Sequence, residues 1–307
     1  MPLTPPFTTA EFLAAVAPTF AMPVNAVQQR TKPRASGLGA CARQQAYMMS
    51  GTLHDAIGSE GSRRATDGDL TAEQGRMFED LSVKIISNMG FAVVDRQVEL
   101  PEDYPVSGHP DGRLSGNTDG LIWGWEHKHL GRWAYETVLK KGLMKGEPGY
   151  ILQSALYGHA LGWDAALFTI ISQDSSSVRG DMTANLRAKN PEVRWATDPN
   201  IHPKVHIATV DMAPLFHGLI PIALDRARWL TRWAEQDNNP ANVAREYDPE
   251  VRESKWVADG EGGRMEVDSA PFPCGWCPYM SKCLSDGSGG KEAPRLPWTE
   301  SVGADAD

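Results

Sequence analysis

The chain is poor in several features that would otherwise place it quickly. No apolar run approaches the ~20 residues that a membrane-spanning helix needs, and MPLTPPFTTAEF at the start lacks the basic-then-apolar pattern of a secretory signal. A cytoplasmic protein with no membrane attachment is therefore expected. Positive charge is in deficit, with 30 Lys and Arg against 39 Asp and Glu for a net charge of −9. That excludes a generally basic nucleic-acid coat. It does not exclude an enzyme with a local basic groove, because the local field matters more than the total. No internal repeat is visible, which excludes a solenoid. Cysteine is scarce, at four in 307 residues. In a cytoplasmic chain, so few thiols suit a metal or catalytic role better than disulfides.

What is present is an ordinary globular composition, 41% hydrophobic and 22% charged, enough for one large domain or two small ones. The ten tryptophans are expected mainly in the core. Thr71-Ala72-Glu73-Gln74 reads as a capping box opening a helix to about Met89, with Phe78, Leu81, Ile85 and Met89 as its apolar stripe. Residues 50–70 before it, rich in Gly, Ser and Asp, read as a loop. Gly90 ends the helix, and FAVVDRQVEL follows as a strand. A helix over about Gly149 to Leu161 places Gln153 and Tyr157 four apart, on one face. AALFTIIS, from Ala165, has the continuous apolar character of a buried strand. The polar stretch 174–203 reads as an insertion, Val205 to Val210 as a further strand. Asp211 would cap a helix from Ala213 to about Gln236. Periodicity is then lost until a cysteine cluster, and the tail from Leu284 is expected to be disordered. The order of elements predicts a mixed central sheet with helices on both faces, an α/β fold.

The centre of interest is Val106 to Leu130, VSGHPDGRLSGNTDGLIWGWEHKHL, two alternating runs joined by a Gly- and Asn-containing turn, which is a hairpin signal. Asp111 lies at the start of the first run. Glu126 and Lys128, two apart on the second, share one strand face, so two acids and a lysine would converge as a small divalent-metal site. The alternative is a pair of surface strands with their charges in water. Asp119, in the turn, competes with Asp111 as the acid of the first strand; Asp111 is preferred because it should lie within the strand before the turn, and a shift of the hairpin would reverse the choice. His127 points away from Glu126 and Lys128 and is expected to support the core, with only its carbonyl near the site.

PCGWCPYMSKC carries Cys274, Cys277 and Cys283. Three thiols so close together favour zinc or an iron–sulfur cluster, and spacing does not choose between them. Cys41 is the remaining cysteine and would staple the two ends of the chain together. A histidine-completed zinc site, with Cys41 a buried thiol, is the alternative.

Ser36, Leu38, Cys41, Arg43 and Tyr47 in SGLGACARQQAY, together with the C-terminal Cys-x2-Cys-x5-Cys, resemble the two halves of the cysteine signature of RecB-type PD-(D/E)XK nucleases. That group includes the AddB nuclease domain, CRISPR-associated RecB-like exonucleases and phage-type stand-alone modules. Gly75-x3-Glu79 is similar to its first-helix motif, where many members carry histidine. GHPDG with Asp111, EHK with Glu126 and Lys128, and QSALY with Gln153 and Tyr157 follow in the family order. The resemblance spans Ser36 to Cys283. It implies a restriction-endonuclease-like sheet over 36–283, an N-terminal arm at 1–35 and a disordered tail at 284–307. It also implies a 4Fe-4S cluster on Cys41, Cys274, Cys277 and Cys283.

The same resemblance implies Mg²⁺ or Mn²⁺ held by Glu79, Asp111, Glu126 and the His127 carbonyl. Lys128 would act on the attacking water or the developing charge, with Gln153 and Tyr157 one shell out. The implied activity is DNA exonuclease on single strands or ends, in recombination, repair or phage replication. Lys140, Lys141, Lys145, Arg179, Arg187, Lys189 and Arg194 are candidates for the DNA backbone groove. A homo-oligomer, or recombination and CRISPR-adaptation proteins, are the expected partners. The competing functions are a non-catalytic DNA-binding or assembly module on the same fold and a zinc-stapled protein unrelated to nucleases.

Overall fold

The computed structural model describes residues 30–52, 61–173, 205–247, 253–258, 264–269, 279–287 and 289–299. In chain order the elements are α1 (Ala42–Ser50), α2 (Gly61–Asn88), β1 (Ala92–Val94), β2 (Gly112–Ser115), β3 (Trp123–Leu130), α3 (Arg132–Lys141), α4 (Leu143–Gly146), α5 (Pro148–Leu161), β4 (Ala165–Ser172), β5 (Val205–Asp211), α6 (Ala213–Gly218), α7 (Ile220–Gln236), β6 (Glu253–Ala258), β7 (Arg264–Ser269) and α8 (Met280–Ser285). Contacts divide the chain into two compact units, one of Lys32–Ala40, Gln74–Thr231 and Pro294–Asp307, the other of Met1–Thr31, Cys41–Glu73 and Arg232–Ala293. The single domain expected over 36–283 is thus shared between two units.

The first unit is built on a five-stranded mixed sheet in the order β1-β2-β3-β4-β5. β1–β2, β2–β3 and β4–β5 are antiparallel, whereas β3 and β4 are parallel, with Glu126 opposite Phe168. β3 alternates strictly. Trp125 and His127 face α2, where Ile86, Leu114 and Trp125 form one cluster and Ser82 meets His127. Gly124, Glu126 and Lys128 face the other way, towards α5 and the residues after it. β4 is buried along nearly its whole length, as its unbroken apolar sequence demands. At Gly124 the absence of a side chain is required: a Cβ there would lie 1.9 Å from Cε3 of the buried Trp163.

Several expectations change. α2 begins at Gly61 rather than Thr71, since the Arg and Ala residues of 62–65 are adequate helix formers despite the polar composition. β1 stops at Val94 because Asp95 and Gln97 take left-handed backbone angles of φ 53° and 52°, which leave the extended region. The expected helix from Ala213 breaks at Leu219, next to Pro221, which has no N–H for an internal helix bond. The unpatterned stretch after Pro240 contains a β6–β7 hairpin. The expected disordered tail is partly ordered. Lys291 bridges Val243, Ala293 and Leu296 are buried, and Trp298 Nε1 donates to the Gly39 carbonyl at 3.4 Å.

The apolar stripe of α2 is also rotated from the one expected. Ser82 and Ile86 are buried and Phe78 is half-buried, while Leu81, Ile85 and Met89 are 45, 48 and 67% exposed. The Ser82 hydroxyl, lying 3.2 Å from His127 Nδ1, belongs to the inward face that hydropathy alone would assign to leucine.

In the second unit, the fully buried Arg43 of α1 is the organising residue. Its guanidinium donates to the carbonyls of Ala241, Val243, Gly287 and Gly289. Tyr47, one turn on, donates to Asp286 Oδ2 at 2.8 Å and stacks on Tyr279 at 5.1 Å between ring centroids. The N–H of Ala42 donates to Glu246 Oε2 at 2.8 Å. An early helix is thereby tied to the residues around Cys283 without any covalent link.

Substituting Gly124→Ala should lower stability by about 1–3 kcal/mol, because the rigid Trp163 ring cannot yield to a new methyl group. Urea denaturation would show this as a lower midpoint with an unchanged slope.

Candidate active site

Asp111 immediately precedes β2, and Glu126 and Lys128 stand on its antiparallel partner β3. The register, Gly112 opposite Trp125, brings Asp111 alongside residues 126 and 127. Asp111 Oδ2 accepts a hydrogen bond from the His127 N–H at 2.7 Å. Lys128 Nζ donates to Glu126 Oε2 at 2.7 Å and lies 3.9 Å from Asp111 Oδ2. The ammonium is thus held by the two carboxylates.

Burial sets the electrostatics. Glu126 is wholly inaccessible, and desolvation pushes its carboxyl up to about 7 against the attraction of Lys128, with the charge of Asp111 adding to the rise. Burial opposes the charge of Lys128 too, but Glu126 and Asp111 outweigh it and hold the ammonium above the ordinary lysine range. Glu126 Oε1 is buried without a hydrogen-bond partner. A carboxylate oxygen in that condition is costly unless a cation takes it.

The helix α5 supplies the wall above this trio. Gln153 Nε2 donates to the Tyr157 hydroxyl at 3.2 Å, and Tyr157 packs so closely on Gly108 that a Cβ there would meet its ring at 2.8 Å. Burial pushes the Tyr157 phenol up to about 12, and Glu126 reinforces the effect. Tyr150 was not among the expected site residues. It lies one turn before Gln153, with Lys128 Nζ 5.3 Å from its ring centroid, a cation–π distance. Its position three residues before Gln153 was the only signal in the sequence.

His127 turns its ring to the opposite face, as strand alternation requires. Nδ1 lies 3.2 Å from Ser82 Oγ and 3.1 Å from Thr169 Oγ1, and burial lowers its pKa to about 4. The neutral ring supports the sheet. Glu79 is held by Arg96, whose Nη2 also reaches Asp80, at 2.8 and 2.9 Å. Asp119 stays in the turn, accepting from the Leu121 N–H, the Asn117 amide and Trp123 Nε1. Asp111, then, is the acid that the register brings to Glu126 and Lys128, and Asp119 is not. Among the described residues, no three His, Cys, Asp or Glu side chains gather closely enough for a metal site by themselves.

The residues present nevertheless fit a hard divalent cation. Asp111 and Glu126 offer carboxylate oxygens, and Glu126 Oε1 is a buried acceptor with nothing bound to it. Of the four cysteines, Cys274 and Cys277 lie outside the described residues. Cys41, at the N-cap of α1, and Cys283, in α8, belong to the same unit. Burial raises the Cys41 thiol, and Arg43 Nη1 lies 3.9 Å from Cys283 Sγ.

No protein-family model matches the chain, and no curated protein matches it. Among solved structures it is similar to an alkaline exonuclease (LHK-Exo) from Laribacter hongkongensis, with 15% identity over 74% of this chain and 99% of that one and a TM-score of 0.37. The same exonuclease in complex with dAMP gives 18% identity and a TM-score of 0.35. SSO0001 gives 13% identity over 91% of this chain and 97% of its own, with a TM-score of 0.41. With TM-scores this low, these likenesses decide nothing about the chemistry of this chain. Among the described residues no helix is long and apolar enough to cross a membrane.

Lys128→Met should cost about 3 kcal/mol of stability, because it leaves the Glu126 carboxyl buried without its cation. The double variant Glu126→Gln/Lys128→Met should recover part of that loss, since the wholly buried charge is gone while the Asp111 carboxylate, 17% exposed, stays without its lysine. A full double-mutant cycle in urea measures the coupling.

Proposed function

We propose that this chain is a metal-dependent nuclease of the PD-(D/E)XK type that hydrolyses DNA phosphodiester bonds, working as an exonuclease on single strands or ends. The observation that carries the reading is the buried Glu126, bridged by Lys128 to Asp111, with one carboxylate oxygen left unpartnered. Burying two acids and a lysine together costs stability, and a charged substrate with its metal is what this arrangement suits.

Asp111, Glu126 and the His127 carbonyl would hold Mg²⁺ or Mn²⁺, with Glu79 joining them on release from Arg96, and the ion would supply Lewis-acid polarisation of the phosphoryl group and a more acidic water when bound. The residues of the chain do the rest. The His127 N–H orients Asp111, and Lys128, fixed by Glu126, presents a positive charge to the phosphate oxygens. Tyr150 beneath Lys128 and the Gln153–Tyr157 pair keep that ammonium and the adjoining backbone in place. Lys140, Lys141 and Lys145, all exposed, are candidates for contact with the DNA backbone, whereas Arg179, Arg187, Lys189 and Arg194 lie outside the described residues.

In the second unit, Cys41, Cys274, Cys277 and Cys283 would hold a 4Fe-4S cluster with a structural role, adding to what Arg43 and Tyr47 already tie together. The cytoplasm, and a part in recombination, repair or phage replication, agree with this chemistry.

Purified protein with Mn²⁺ should degrade end-labelled DNA, and Glu126→Ala should reduce the rate by at least about a thousandfold, the order lost when a catalytic charge stabiliser is removed. Equal degradation by wild type and variant would reject the nuclease. DNA binding without any turnover would favour the assembly module instead. Anaerobically purified protein should be brown, with absorbance at about 400 nm as iron–sulfur centres give, and Cys283→Ser should lose both colour and iron. Stoichiometric zinc without iron would replace the cluster with a zinc staple.

A further inference from the structure

The exposed face of α2 carries an apolar row that nothing among the described residues covers. Met77, Leu81 and Ile85, 70, 45 and 48% exposed, stand four residues apart along the helix, and Met89, 67% exposed, follows in the same step just past its last residue. Four-residue steps trace one of the ridges by which packed helices interlock. Two such ridges fit each other's grooves at a crossing of about −50°. A row this regular on the solvent side is a helix-packing surface with no partner among the described residues.

The charges beside the row identify the partner. Asp80 and Lys84, both exposed, lie on the same flank, next to Leu81 and Ile85. Asp80 gives one oxygen, Oδ1, to Arg96 at 2.9 Å. If two copies of this helix cross in parallel about a two-fold axis, the flanks bearing Asp80 and Lys84 fall on opposite sides of the contact and these charges do not meet. If they cross antiparallel about a two-fold axis, Leu81 of each packs on Ile85 of the other, and each Asp80 meets the other copy's Lys84. The flank is therefore complementary to itself in one orientation only.

We propose that this face of α2 is a homodimer interface, two copies crossing antiparallel with Leu81 and Ile85 at the centre and reciprocal Asp80–Lys84 pairs at the rim. The contact is isologous, as a two-fold interface must be. A crossing of this kind touches over few residues, so the dimer is weak and populated at tens of micromolar. It does not depend on the nuclease reading.

Sedimentation equilibrium of the full chain tests it. The wild type should dimerise over that range, and Leu81→Glu/Ile85→Glu should be monomeric with an unchanged melting temperature, both positions being exposed. Lys84→Glu, which sets like charges against each other at both rims, should weaken the dimer by about tenfold. A wild-type chain that remains monomeric, or a dimer that survives the double substitution, overturns the proposal. If the double variant fails to fold, Lys84→Glu decides alone, and undiminished dimerisation with it also overturns the interface.

Discussion

The first unit depends on a carboxylate that would be intolerable where it stands if it were alone. Glu126 is wholly buried at the middle of the central strand β3, and burial penalises its charge heavily. Lys128, two residues on and therefore on the same face, relieves that penalty at 2.7 Å. Much of the neighbourhood follows from keeping this pair in place: Asp111 tied to the His127 N–H, Tyr150 beneath the ammonium, Tyr157 against Gly108, and Gly124 bare so that Trp163 can cover the strand. A strand that needed only stability would carry apolar residues here.

The second unit solves a different problem with one residue. Arg43 satisfies four carbonyls contributed by segments some 200 residues later in the chain, each of which lacks a regular ladder of its own. A guanidinium suits this role because its planar donors reach several acceptors at once and it stays charged when buried. Arg43 stood in the sequence as part of a cysteine signature. Its hydrogen bonds give it a structural role whether or not metal occupies the thiols nearby.

Much of the site was legible for local reasons. Glu126 and Lys128 had to share a face because strand periodicity is two, and Gln153 and Tyr157 because helix periodicity is near four. The turn chemistry of 115–120 announced the hairpin. Other features were not legible. The preference for Asp111 over Asp119 came from its place before the turn, but the register that sets it beside Glu126, with Gly112 facing Trp125, arises from cross-strand packing. The inward face of α2 was misjudged because Ser82 and Ile86 match His127 and Trp125 across space, a pairing invisible in the helix itself. Tyr150 went unnoticed because an aromatic residue near a helix start carries no mark of the lysine above it.

The sequence by itself determined the periods: which residues alternate, which recur every turn, where glycine permits a turn, and which side chains could bear charge or bind metal. These follow from backbone geometry and side-chain chemistry within a few residues. Only the tertiary structure decided partners. It set Arg96 on Glu79, Lys128 between two acids, Arg43 on distant carbonyls, and an apolar ridge of α2 towards solvent. Such pairings depend on the fit of surfaces far apart in the chain, where burial and unsatisfied polar groups weigh more than any local preference.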